Sequence, residues 1–114
     1  MKPDEPRAYR LNDPVLEEMV RRLREAFHPE RIYLFGSRAR GEADPDSDYD
    51  LLVVLRESPL PGYKRAQLAF RTLCGVGAPK DVIVLTRNEF QRKLTVVCSL
   101  PATVVREGKL IYAA

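Results

Sequence analysis

Apolar residues recur along the chain with two different spacings, and each spacing predicts one kind of element. After Asp13 they return every three or four positions as far as Phe27, which predicts an amphipathic helix that Asp13 caps and Pro14 begins. The predicted apolar face consists of Val15, Leu16, Met19, Val20, Leu23 and Phe27. The pair His28-Pro29 ends this helix, because the residue before a proline avoids the helical conformation.

Three short runs of β-branched and aliphatic residues predict strands. In chain order they read "RIYLF", "YDLLVVL" and "KDVIVLT". The middle run is apolar without interruption after its aspartate, which is typical of a central strand that helices cover on both faces. We therefore expect this run at the centre of a sheet, with the other two runs near it.

Helices are predicted between and after these strands. One spans about Tyr63 to Cys74, and Thr86 with Glu89 predicts a capping box for the helix after the third strand. A second short helix is expected to end at Gly108, and "KLIYA" then predicts a last strand at the edge of the sheet. This order of elements predicts an α+β (α/β layered) fold in which helices flank one small sheet.

Length and composition predict a soluble protein with a single domain. The chain has 114 residues, of which 45% are hydrophobic and 31% charged. We expect residues 1–10 to be a flexible N-terminus and residues 11–114 to form a single domain. No apolar run approaches the roughly 20 residues of a membrane span, and the polar start lacks the apolar segment of a signal peptide. A cytoplasmic protein without a membrane partner is therefore predicted.

Charge and cysteine content are less informative. The net charge is +3 and the arginines are scattered, so a nucleic-acid partner is not expected. The two cysteines, Cys74 and Cys98, are far apart and have no histidine cluster nearby. We expect two small buried side chains rather than a metal site.

Two carboxylates stand at the entrance of the predicted central strand. Asp48 and Asp50 are two residues apart, so on a strand they would share one face, separated by about 6 to 7 Å. They would repel each other unless a cation bridges them, and oxygen ligands suit Mg²⁺ or Mn²⁺. Asp81 enters the next run from a comparable position and would reach the same cation if the strands are neighbours. The alternative is that the pair belongs to a turn, since "DPDSD" is rich in turn formers.

A second candidate feature lies before these acids, in "FGSRARG". Gly36 allows close approach of the backbone, and the amides of a helix that starts at Ser37 would bind phosphate oxygens. By itself this pattern is a common strand-to-helix turn. The loop that follows carries Glu42, Asp44 and Asp46, which we expect to be a solvated turn.

Together these residues resemble the signature of the DNA polymerase β-like nucleotidyltransferase superfamily. The signature comprises Gly36-Ser37, ten intervening residues, Asp48-Tyr49-Asp50, and later Asp81 within "KDVIVL". The chain is as short as the minimal nucleotidyltransferases of bacteria and archaea, and the resemblance runs from the helix before "RIYLFGSRARG" through "EGKLIY". It implies the nucleotidyltransferase fold with a small mixed sheet.

The resemblance also implies a reaction, which is nucleotidyl transfer from a nucleoside triphosphate with two Mg²⁺ ions, or with Mn²⁺. Asp48 and Asp50 would ligate both metals, and Asp81 would ligate the metal nearer the attacking hydroxyl and help to deprotonate it. Gly36 and Ser37 would hold the β- and γ-phosphates. Charge from Arg38 and Arg40 would assist them, although a solvated cation is an equal alternative for either arginine.

The minimal members of this superfamily typically act on a helical HEPN-type toxin encoded beside them. By that resemblance the acceptor is a tyrosine of such a partner, AMP from ATP is transferred, and the chain is the antitoxin. A small-molecule nucleotidyltransferase of the aminoglycoside-modifying type remains an alternative, and it would need a second domain or a homo-oligomer to form its acceptor pocket. A non-catalytic nucleotide-binding partner module is a further alternative, which the three intact aspartates disfavour.

Overall fold

The computed structural model describes residues 7–8 and 12–114. In chain order its elements are β1 (Arg7–Ala8), α1 (Pro14–Phe27), β2 (Arg31–Phe35), α2 (Ser37–Arg40), β3 (Tyr49–Leu55), α3 (Gly62–Thr72), β4 (Lys80–Thr86), α4 (Arg87–Leu94), α5 (Leu100–Glu107) and β5 (Lys109–Ala113). The strands form one sheet in the order β1-β5-β2-β3-β4. The prediction of a flexible N-terminus falls, except at Arg7–Ala8, on residues outside those described.

The sheet is mixed, as predicted. β3 and β4 run parallel and are connected through α3, whereas the other neighbouring strands are antiparallel. β3 is interior and β4 is an outer strand, so the predicted central position of "YDLLVVL" is confirmed. The predicted edge position of β5 is wrong, because β5 lies between β2 and β1. A five-residue apolar pattern specifies a strand but does not specify its neighbours.

The two faces of β3 pack against different pairs of helices. Tyr49, Leu51 and Val53 belong to a core cluster with residues of α1 and α3. Leu52 and Val54 belong to a second cluster with residues of α4 and α5. Because side chains alternate along a strand, Asp50 lies on the α4/α5 face, as does Asp48 if the alternation continues.

Helix α1 forms as predicted, with one residue placed differently. The Asp13 carboxylate accepts from the amides of Val15 and Leu16 at 3.0 and 3.2 Å, which confirms the cap. Val15 was assigned to the apolar face, but it is 36% exposed. Successive helical residues are about 100° apart around the axis, which places Val15 at the margin of the stripe that runs through Met19 and Leu23.

The expected burial of the cysteines is wrong, since both side chains are exposed and free. Cys74 follows the end of α3, and Cys98 lies between α4 and α5. Neither position belongs to the inward stripe of a helix or to a strand. Residue type alone therefore misled the prediction.

Candidate active site

The turn between β2 and α2 has a geometry that favours glycine. Gly36 has φ +74° and ψ −158°, a conformation that other residues rarely adopt. A Cβ at this position would overlap a carboxylate oxygen of Asp50 and would lie 3.1 Å from its Cγ. The backbone of Gly36 therefore lies directly against Asp50. The first amides of α2, which begins at Ser37, have no acceptor within the helix.

Strand register brings the predicted acids to the same end of the sheet. Asp50 is the pairing partner of Phe35 on β2 and of Asp81 on β4. Neighbouring strands are about 4.8 Å apart, so Asp50 and Asp81 are adjacent across the ladder. Asp48 precedes Asp50 by two positions. Three carboxylates and the Gly36 turn are thus gathered at one end of the sheet.

The three carboxylates interact electrostatically. Asp50 is half-buried, whereas Asp48 and Asp81 are exposed. Burial raises the pKa of the Asp50 carboxyl above its ordinary value, the negative charges of Asp81 and Asp48 raise this pKa further, and Arg40 opposes them. The charged form of Asp50 is therefore less favourable than that of an isolated aspartate, and a bound cation would offset the repulsion.

This donor set fits a hard divalent cation. Carboxylate oxygens are the ligands that Mg²⁺ and Mn²⁺ prefer. Within residues 7–8 and 12–114, no three aspartate, glutamate, histidine or cysteine side chains converge closely enough to hold a metal ion as they stand. Asp48 and Asp81 are exposed and can rotate towards Asp50 without disturbing the core.

Arg38 lies against the acidic loop that leads into β3. Its guanidinium donates to the carbonyl of Ser47 from Nε at 3.0 Å and from Nη2 at 2.8 Å. The same group lies 3.8 Å from the centroid of the Tyr49 ring. These contacts engage the Ser47 backbone and the Tyr49 side chain, which are the residues on either side of Asp48. Arg38 thus positions the acid pair, and its contact with phosphate stays a prediction.

Arg40 and the loop acids are more exposed. The Nε atom of Arg40 donates to the Glu42 carboxylate at 3.2 Å, while its charge also lowers the pKa of Asp50. Asp44 accepts from the backbone amide of Asp46 at 2.8 Å, as in an Asx turn. Glu42, Asp44 and Asp46 are all exposed, so the predicted solvated turn is confirmed.

One connection at the site was not expected from the sequence. The buried Tyr49 hydroxyl donates to Asp13 at 2.6 Å, so the residue between the two acids is tied to the cap of α1. Burial raises the pKa of Tyr49, and the hydrogen bond to Asp13 raises this pKa further. No local pattern links two residues 36 positions apart. An invariant pairing in related sequences would be the signal that could reveal it.

The site and the fold together define a class of protein. Residues 16–111 match the model of the nucleotidyltransferase domain family, so the chain belongs to this family. The predicted superfamily and fold are confirmed by this match and by the solved structures that resemble the chain.

Individual relatives show which members of this family the chain resembles. The chain is similar to the protein adenylyltransferase MntA of Thermococcus cleftensis, with 45% identity over 47 residues, which are 41% of this chain and 48% of that protein. The chain thus spans about half the length of that curated relative. A crystal structure of a toxin-antitoxin with AMP-PNP is 26% identical, with a TM-score of 0.64, covering 91% of this chain and 75% of that chain. An MntA-HepT toxin-antitoxin structure, at 23% identity, covers 88% of this chain and 71% of that chain with a TM-score of 0.58, and it supports the fold alone.

The described residues show no helix that could cross a membrane, since none is both long and apolar enough. The result agrees with the absence of a long apolar run in the sequence.

Proposed function

We propose that this chain is a metal-dependent nucleotidyltransferase that transfers AMP from ATP to a hydroxyl group of a protein. The observation that carries the proposal is the contact of the Gly36 backbone with Asp50, which is itself paired with Asp81. Transfer of a nucleotidyl group requires a turn that binds phosphate and a cluster of acids that lie next to each other. Membership in the nucleotidyltransferase domain family supports the same reaction.

The chain's own residues have distinct roles in this proposal. Backbone amides at Gly36 and Ser37 bind the β- and γ-phosphates, because the amides of Ala39 and Arg40 already donate to the Gly36 carbonyl whereas the Ser37 amide has no acceptor within α2. Asp48, Asp50 and Asp81 would hold two Mg²⁺ or Mn²⁺ ions, which supply charge stabilisation to an in-line displacement. Asp81 accepts the proton of the attacking hydroxyl, whose oxygen forms the new bond to the α-phosphorus as pyrophosphate leaves.

Arg38 and Arg40 act on the same phosphates from different positions. Arg40 is close enough to influence Asp50 and is exposed, so it can move to the triphosphate. Arg38 is engaged with the Ser47 carbonyl, and we propose that it mainly holds the loop in place while adding positive charge near the phosphates.

The comparisons support a protein acceptor. The chain resembles a protein adenylyltransferase and a toxin-antitoxin structure that contains AMP-PNP. We therefore propose a tyrosine hydroxyl of a HEPN-type helical protein as the acceptor, with this chain as the cytoplasmic antitoxin. A small-molecule acceptor is the second candidate.

The test is transfer of label from each of the four ribonucleoside triphosphates, labelled at the α-phosphate, in the presence of Mg²⁺. The acceptors are a HEPN-type protein, taken from the gene next to that of this chain as the proposal expects, and, separately, a small-molecule extract. We expect ATP to label a tyrosine of the protein, and Asp50→Asn to abolish labelling. The matched control is Asp46→Asn, since Asp46 is an exposed acid of the same loop and should not matter. Labelling of a small molecule alone would favour the second candidate, and no labelling at all would reject both.

A further inference from the structure

Helix α3 has apolar residues on its solvent side as well as on its buried side. Ala69 is buried, and the Arg65 guanidinium donates to Glu89 of α4 at 2.7 and 3.1 Å. On the other side Tyr63 is 64% exposed and Phe70 is 76% exposed. Ala66, also exposed, lies between them, so the three residues follow the i, i+3, i+7 spacing of a helical stripe. Exposed aromatic residues in such an arrangement mark an interaction surface.

A groove of about 310 Å³ continues this stripe towards the candidate active site. Phe70 of α3 and Leu73, which directly follows α3, form one wall, and Pro79, Lys80, Asp81 and Val82 form the opposite wall. Since β4 is an outer strand, the groove lies at the edge of the sheet, and Asp81 lines it at the start of β4. The Asp81 side chain belongs to the opposite face of the sheet, with Asp50, so the groove reaches it only around this edge. We call the stripe Tyr63, Ala66 and Phe70, together with this groove, the α3 surface.

The charges around the α3 surface decide which occupant fits. Helix α3 contains Lys64, Arg65 and Arg71 and no acidic residue. Arg65 is buried and paired, which leaves Lys64 and Arg71 exposed. In a two-fold dimer the same patch meets itself, so packing α3 on a second copy would place these cations near one another. A partner whose apolar face is flanked by acids fits better.

We propose that the α3 surface docks an amphipathic, acid-flanked helix of the acceptor protein. This inference rests on the proposed function, because a helix docked there would lie beside the start of β4, from where the acceptor hydroxyl would reach Asp81 around the edge of the sheet. Phe70 and Tyr63 are the anchors, and Lys64 and Arg71 set the orientation of the helix.

Phe70→Glu tests the proposal, and Val97→Glu is the matched control. Both side chains are 76% exposed, but Val97 lies between α4 and α5. With the HEPN-type protein as acceptor, we expect Phe70→Glu to raise the KM for this acceptor by about tenfold or more. We expect kcat and the Kd for Mg²⁺-ATP to stay within about twofold of the parent values. Arg71→Glu should raise the acceptor KM most at low ionic strength. Val97→Glu should resemble the parent, and thermal melting should show all variants folded.

The remaining outcomes would overturn the inference. A parental KM for the acceptor in Phe70→Glu, or an equal loss in Val97→Glu, would show that the α3 surface does not dock the acceptor. A fall in kcat with unchanged KM would place Phe70 in the chemistry instead. If the chain alone forms a dimer that Phe70→Glu dissociates, then a second copy occupies the surface. Absence of protein labelling in the parent would reject the proposed function itself.

Discussion

Replacing Gly36 with alanine tests the contact on which the candidate active site depends. The backbone conformation of Gly36, φ +74° and ψ −158°, would cost an alanine about 1 to 3 kcal/mol. The new Cβ would also overlap the Asp50 carboxylate, and driving that side chain off its rotamer costs about 0.5 to 1.5 kcal/mol more. We therefore expect a loss of roughly 1.5 to 4.5 kcal/mol in the free energy of unfolding, or roughly 6 to 19 °C in Tm for a chain of this length.

Two comparisons separate the two contributions. Gly41→Ala has the same φ of +74° but nothing within 4 Å of its Cβ, so it should lose only about 1 kcal/mol. In the double variant Gly36→Ala/Asp50→Ala the overlapping carboxylate is absent, and the two changes should couple by about 0.5 to 1.5 kcal/mol. Urea unfolding at neutral pH measures five proteins, which are the parent, the three single variants Gly36→Ala, Asp50→Ala and Gly41→Ala, and the double variant. If Gly36→Ala is no worse than Gly41→Ala, and Asp50→Ala leaves its cost unchanged, the described contact does not exist in solution.

Four further predictions concern the charged residues of the site. Asp48→Asn and Asp50→Asn should each remove nearly all transfer while metal-free thermal stability stays equal or rises slightly, because one repelling charge is gone; a large loss of Tm would make the pair structural. Asp81→Asn should bind Mg²⁺-ATP within roughly tenfold of the parent by calorimetry while single-turnover transfer falls by orders of magnitude; near-normal transfer would remove it from the site. The pKa of Asp50 is raised in the folded state, so the stability that its protonation contributes is present below the ordinary value of 3.8 and is lost as the pH rises through the folded-state pKa. Between these two pKa values the Tm of the parent should therefore fall relative to that of Asp50→Asn. Parallel curves of Tm against pH for the two proteins would contradict the shift. Arg38→Ala should lower Tm by releasing the Ser47 carbonyl and weaken Mg²⁺-ATP binding only modestly; a loss of binding with unchanged Tm would instead indicate direct phosphate contact.

The residues whose roles depend on local pattern could be predicted from the sequence. The acid pair, the Gly36 turn and the capping box of Thr86 with Glu89 are each encoded within a few positions, and the structure forms the capping box as expected. The approach of Asp81 to Asp50 was predicted only on the condition that their strands are neighbours, and the parallel register of β3 and β4 meets that condition.

The remaining features depend on contacts between distant parts of the chain. The position of β5 inside the sheet, the Tyr49 hydrogen bond to Asp13 and the Arg65 pair with Glu89 join residues that no periodicity relates. The prediction of burial fails for the same reason. Cys98 is an apolar residue type, but it lies after the end of a helix and is exposed. Sequence patterns specify which face of an element is apolar, whereas the tertiary arrangement decides what that face meets.

The outer position of β4 has a consequence for solubility. An outer strand presents backbone donors and acceptors on its free side, and proteins often guard such strands with charge against edge-to-edge aggregation. β4 begins with Lys80 and Asp81 and continues as the apolar run "VIVL". The Lys80 ammonium is held by the carbonyls of Val76 and Ala78 at 2.9 and 3.1 Å, which leaves Asp81 as the freer charge at this end of the strand. The carboxylate that we propose as a metal ligand would therefore also help to keep this strand from pairing with another molecule.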